Sequence, residues 1–214
     1  MVRTYQASEK LTTATRSEEG VTPMQLATLS SALAQDATIT PRLEELRALT
    51  NEVIATALKL LGGCIDEDVT FIPYDPHAHD EAASDDEKSI AWTLGHIIAH
   101  MTATSEEHTA TAAELARGVE YHGRSRYEVP WRTITTVAQC RARLEESRRM
   151  RLASLSAWPD EPHLDNIHLA WEDGPLYGPI QHVLLGLRHD AAHLEQIRDV
   201  VQQAREYRQG RRRR

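Results

Sequence analysis

The sequence predicts an all-α protein, a bundle of four helices in one domain, and three observations carry that expectation. Apolar residues recur at spacings of three and four in four separate stretches, the period of a helix with one buried face. Aromatic residues make up only 5% of the chain, with a single Phe, so the core falls to Leu, Ile, Val and Ala packed between helices rather than to a sheet. Connectors rich in Pro, Gly and acidic residues separate the four stretches, as loops between bundle helices do.

Taken in order, residues 1–21 are polar and unpatterned and are expected to be disordered. A short helix from Pro23, capped by Thr22, to about Ala34 opens the domain, which is expected to span residues 22–209 and to leave a basic tail at 210–214. The first long helix starts at Pro41 behind Thr40. It sets Leu43, Leu46, Leu49, Val53, Ala57 and Leu60 or Leu61 on one face and stops at Gly62-Gly63. Residues 66–88, with Pro73, Pro76 and many acids, read as a loop. The second long helix is expected over about Ser89–Arg117. The third begins near Thr135 or Thr136 and turns Val137, Cys140, Leu144, Leu152 and Leu155 inward. After a connector over about Trp158–Gly178, the fourth opens on Pro179 and runs to about Arg208. No strand is expected.

Composition narrows the function. The 214 residues carry a net charge of −8, which argues against a generic nucleic-acid binder, whose affinity rests on neutralising phosphates. The basic run Arg211–Arg214 reads as a solvated helix tail. No apolar run approaches the roughly 18 residues of a membrane span. The start M-V-R-T-Y-Q-A-S-E-K has no apolar stretch behind its charge, so a secretory leader is not expected. Cys64 and Cys140, the only two cysteines, lack C-x-x-C spacing and are expected to be free thiols of a cytoplasmic protein.

Histidine is the informative residue, at 11 of 214. Two H-x-x-x-H pairs, His96/His100 and His189/His193, each place two imidazoles on one helix face, one turn apart, as two ligands of one ion require. At this histidine frequency roughly half an accidental pair is expected, so spacing alone does not separate ligands from core histidines. Depth does more. His100 lies roughly 17 Å along its expected helix, and His189 and His193 lie at a similar depth in theirs. Clustered imidazoles in a bundle core need partners for their nitrogens, and a metal ion supplies one.

The segment Trp92-Thr-Leu-Gly-His-Ile-Ile-Ala-His100, a tryptophan followed eight residues later by histidine, resembles the second-helix motif of the DinB-like superfamily. His189-Asp-Ala-Ala-His193-Leu-Glu-Gln196 resembles that superfamily's fourth-helix signature. The resemblance covers about residues 40–205. It implies an antiparallel four-helix bundle whose metal ligands are His100, His189 and His193. His96 does not inherit a ligand's place and is read as lining the groove, with a fourth ligand or a catalytic role as the alternative. The N-terminal extension and the acidic loop carrying His77, His79 and Asp80 depart from the family pattern.

Other residues weigh less. Glu107, seven residues after His100 on nearly the same face, is a candidate general base or outer partner; a solvated glutamate is the plainer reading. Asp190 points about 100° away from His189 and reads as surface or capping chemistry. Trp92 reads as a core anchor, and His182, two turns before His189, as a candidate for the pocket wall. Three neutral imidazoles leave an ion its full charge and an open position, the layout of a catalytic site. Zinc suits such ligands best, with nickel, iron or manganese as alternatives. The resemblance implies a transferase that activates a low-molecular-weight thiol toward a small-molecule substrate. The alternatives are a metal-dependent hydrolase and a non-catalytic, stress-related metal binder. A homodimer is considered among the possible assemblies.

Overall fold

The first apolar stripe becomes helix α1, Leu43–Leu60, with Leu46, Val53, Ile54, Ala57 and Leu60 buried. In the computed structural model, which describes residues 41–80, 84–85 and 87–212, α1 begins two residues later than expected. Pro41 stays outside it, and the Arg42 backbone N–H donates to Glu45 Oε2 at 2.7 Å. The expectations for residues 1–21 and for a helix over Pro23–Ala34 lie outside the described residues. α1 ends at Gly62-Gly63, where Gly63 takes φ 72°, a conformation that glycine adopts without steric cost.

The stretch 66–88 is not wholly loop. Helix α2, Asp66–Val69, forms a single turn; the Ile65 N–H donates to Asp68 Oδ2 at 2.9 Å, and Arg208 meets the same carboxylate at 3.2 Å. Helix α3, Leu94–Ala116, starts five residues after the expected Ser89, because Thr93 caps it by accepting from the His96 N–H at 3.3 Å. Gly95 in its first turn lets the chain pass under the segment before the next helix: a Cβ there would collide with the Ile134 carbonyl oxygen.

Helix α4, Val137–Ser156, is capped reciprocally by Thr136 and Gln139. Its buried stripe is Cys140, Leu144, Ser147, Arg151 and Leu155. Arg151 therefore holds the inward place expected for Leu152, which is only half-buried. Two short strands, β1 (His168–Leu169) and β2 (Leu176–Tyr177), pair antiparallel, where no strand was expected. Helix α5, Pro179–Arg212, runs four residues past the expected end.

α3 packs on α4 and α5, and α1 packs on the same two, so α1 and α3 stand at opposite corners. His100 faces His189 and His108 faces His182, so α3 and α5 run antiparallel. α1 and α4 also run antiparallel, since Arg47 reaches Ser156 and Arg141 reaches Leu61. This is a four-helix bundle with its apolar core between the four helices, drawn from Leu46, Val53 and Ile54 of α1 through Leu194 and Ile197 of α5. No helix of the described residues is long and apolar enough to cross a membrane.

Candidate metal centre

Antiparallel packing brings the first turns of α3 opposite the middle of α5. His100 is only the seventh residue of α3, not the eleventh, so the site lies closer to that end of the helix than the expected boundary implied. The three histidines meet nonetheless. His189 Nε2 lies 3.0 Å from His100 Nε2 and 3.2 Å from His193 Nε2. Among the described residues this is the single group of three or more His, Cys, Asp or Glu whose ligand atoms lie within 4.8 Å of one another.

The outer nitrogens fix the tautomers of two rings. His100 Nδ1 sits 2.5 Å from Glu128 Oε1, and His193 Nδ1 sits 2.9 Å from Gln196 Oε1. Each Nδ1–H donates outward, so each Nε2 turns a lone pair toward His189. One proton on His189 Nε2 can satisfy only one of those two lone pairs; a cation satisfies all of them. Two nitrogens held at the usual zinc–imidazole distance around one tetrahedral ion stand about 3.3 Å apart, close to the separations found here. The donor set therefore fits a divalent ion of the zinc type.

Burial keeps the His189 and His193 rings neutral, as ligands must be. Desolvation, with the neighbouring His193 and His100, lowers His189 to about 3. His193 falls to about 4, mainly through desolvation, which outweighs the hydrogen bond to Gln196. Partial burial opposes the Glu128 charge, but the hydrogen bond from His100 holds that carboxyl below its ordinary value. Unfolded histidines titrate near 6.5. Between that value and about 4, the unfolded chain takes up protons that the folded, chelated chain refuses. Stability is therefore expected to be full above pH 6.5 and to fall as the pH drops, each such histidine adding a slope of about 1.4 kcal/mol per pH unit. Urea titrations of the chelated chain at pH 7.5 and pH 5 would show this as an earlier midpoint in acid; equal midpoints would refute it.

Trp92, just before α3, roofs the centre as well as anchoring the core. Its ring lies 4.7 Å from His100 and 5.8 Å from His193, and it stacks on His96 at 4.4 Å. His96 is sandwiched between Trp92 and Trp131, the latter at 4.5 Å, and stands outside the ligand group. Desolvation lowers its pKa.

From His100 a cleft of about 1060 Å³ runs along α3 past Thr104, Glu107, His108 and Thr111. Its other walls come from the 119–131 connector and the β1–β2 hairpin, including Tyr121, Trp131, His168 and Trp171. His182 does line this cleft, with His108 Nδ1 3.4 Å from its own Nδ1. Glu107 lines it too, but its Oε2 accepts the backbone N–H groups of Ser125 (3.0 Å) and Arg126 (2.6 Å) and so anchors the connector. His77 and His79 do not join the ligand group, while Asp80 borders the cleft.

An expectation about the site is overturned as well. Asp190 is fully buried, not surface chemistry; its carboxylate accepts Ser105 Oγ at 2.6 Å and Arg151 Nη1 at 2.6 Å.

A sequence model of the DinB superfamily matches residues 49–197, over two thirds of the chain. The chain belongs to the DinB superfamily. No curated protein and no solved structure matches it. The DinB match spans the histidines of both helices together with Trp92, Glu128 and Gln196. Glu128, His108, Trp131, Tyr121 and His168 are site residues that sequence reasoning missed. His108 alone carried a signal, lying eight residues after His100 on the same helical face; the other four stand in connectors or at their edges, where no period marks them.

Proposed function

We propose that this DinB-superfamily chain is a metal-dependent transferase that binds one divalent ion, zinc by preference, on His100, His189 and His193 and directs a low-molecular-weight thiol at a small electrophile. The observation that carries the reading is the convergence of three imidazole Nε2 atoms, with no carboxylate or thiolate among them, at His100, which borders a roomy cleft. When bound, such an ion supplies undiminished positive charge that favours the anionic form of a thiol or of water beside it.

The chain's own residues supply the rest. Glu128 and Gln196 orient the His100 and His193 rings, Trp92 shields one side from water, and the cleft admits a substrate from the His100 side. The chain's own thiols are poorly suited to the work. Burial pushes Cys140 up to about 12 and raises Cys64 despite Arg205, and neither belongs to the ligand group. An external thiol fills that role in this reading.

The test is a thiol titration of the cobalt(II)-loaded chain with Cys64 and Cys140 replaced. A near-ultraviolet charge-transfer band is expected on adding a small thiol. The thiol is expected to titrate below its free value of about 8.5, and conjugation of an electrophile is expected to depend on it. The same titration of His100→Ala is expected to be silent. A fully loaded chain whose spectrum ignores every physiological thiol at millimolar concentration would overturn the transferase reading, and turnover without thiol would mark a hydrolase.

A further inference from the structure

Directly after the ligand His189, Asp190 sends its carboxylate into the bundle core, where two other helices reach it. Ser105 Oγ of α3 lies 2.6 Å from Oδ1, and Arg151 Nη1 of α4 lies 2.6 Å from Oδ2. All three side chains are at most 1% exposed. α4 and α5 stand at opposite corners of the bundle, so the Arg151–Asp190 pair crosses its interior. One turn before Asp190, Gly186 brings the α5 backbone against α3: a Cβ there would stand 3.2 Å from Ser105 Cα. The Ser105 hydroxyl is also 2.9 Å from the Gly186 carbonyl.

A buried ion pair is a poor source of stability, since desolvation offsets most of its attraction and apolar replacements of similar volume are often neutral or better. This pair is poorer than most. Arg151 Nε and Nη2 have no protein hydrogen-bond partner among the described residues, and neither does the nearby Ser147 hydroxyl. What the contact does supply is direction. Apolar packing tolerates small rotations of a helix, whereas one carboxylate gripped from two other helices does not. A rotation of α5 by a single residue position turns its side chains by about 100°, which would carry His189 and His193 off His100.

We propose that Ser105, Asp190 and Arg151 form a positioning brace that holds α5 at the rotation where His189 and His193 meet His100, and so sets metal affinity without touching the ion. The proposal rests on the three-histidine reading above. It predicts that stability and metal affinity come apart.

The test uses cobalt(II) as probe on the full chain, the double variant Arg151→Met/Asp190→Leu, and Ser105→Ala. The double variant is expected to keep its helical content and to melt, without metal, no lower than the parent. Its cobalt dissociation constant is expected to rise at least about tenfold, the scale on which outer partners act, with weaker and broader visible bands as tetrahedral geometry loosens. Ser105→Ala, which removes one hydroxyl, is expected to weaken cobalt binding severalfold and keeps the test decisive should the double variant not fold. A parent that loads cobalt while the folded variants match its affinity and spectrum would overturn the brace alone. A parent that takes up no cobalt would overturn the three-histidine reading and the brace with it.

Discussion

Purified from cells, the His193→Ala variant is expected to carry only a small fraction of the metal found on the parent chain, which should hold roughly one ion. His100→Ala and His189→Ala are expected to behave alike. Loss of an outer partner such as Glu128 typically costs about 10–100-fold in affinity, and losing one of three ligands must cost more, because two imidazoles cannot close a site that is already open on one side. His163→Ala is the control: that ring packs against Gly118 and belongs to no ligand group. Elemental analysis decides the matter, and full occupancy in His193→Ala would show that the ion sits elsewhere.

Stripping the ion is expected to lower the melting temperature of the parent by roughly 5–10 °C while leaving its helical circular dichroism in place. An ion that binds only the folded chain adds about 2.7 kcal/mol at a free concentration 100 times its dissociation constant, and in a chain of this length 1 kcal/mol shifts melting by about 2–4 °C. The core from Leu46 to Ile197 does not depend on the site, so the bundle should stand without metal. Collapse of the helical signal on chelation would instead identify a structural ion. An unchanged melting curve would indicate that nothing was bound.

The helices were legible because burial imposes a period. Leu46, Val53, Ala57 and Leu60 announce one face of α1 without any tertiary information. Their ends were less legible, since Thr93 overrides Ser89 as the start of α3 by a single capping hydrogen bond that composition does not rank. The three candidate ligands stood out because helical spacing and a family motif coincide at His189 and His193 and a second motif marks His100, and the structure brings these three rings together. Asp190 was misread for a physical reason. Its 100° offset from His189 correctly turned it off the ligand face, but that direction leads into the bundle, where Arg151 on a different helix makes an inward carboxylate tolerable. A partner 39 residues away in sequence leaves no local trace. Glu128 was invisible on the same grounds, because a connector has no period to mark which side chain turns toward His100.

The centre divides between two kinds of chain. Its three imidazoles sit on helices whose other faces build the core, so their placement is bound to the packing of the whole bundle. Most of the cleft's outer wall belongs to the 119–131 connector and the β1–β2 hairpin, whose Tyr127, Leu169 and Trp171 are exposed. Substitutions at those exposed positions disturb few core contacts, unlike changes at Val129 or Trp131, which pack against the core. A lineage built on this scaffold can therefore exchange its ligand preferences by rewriting these two surface segments around Glu128 while keeping the three histidines in place.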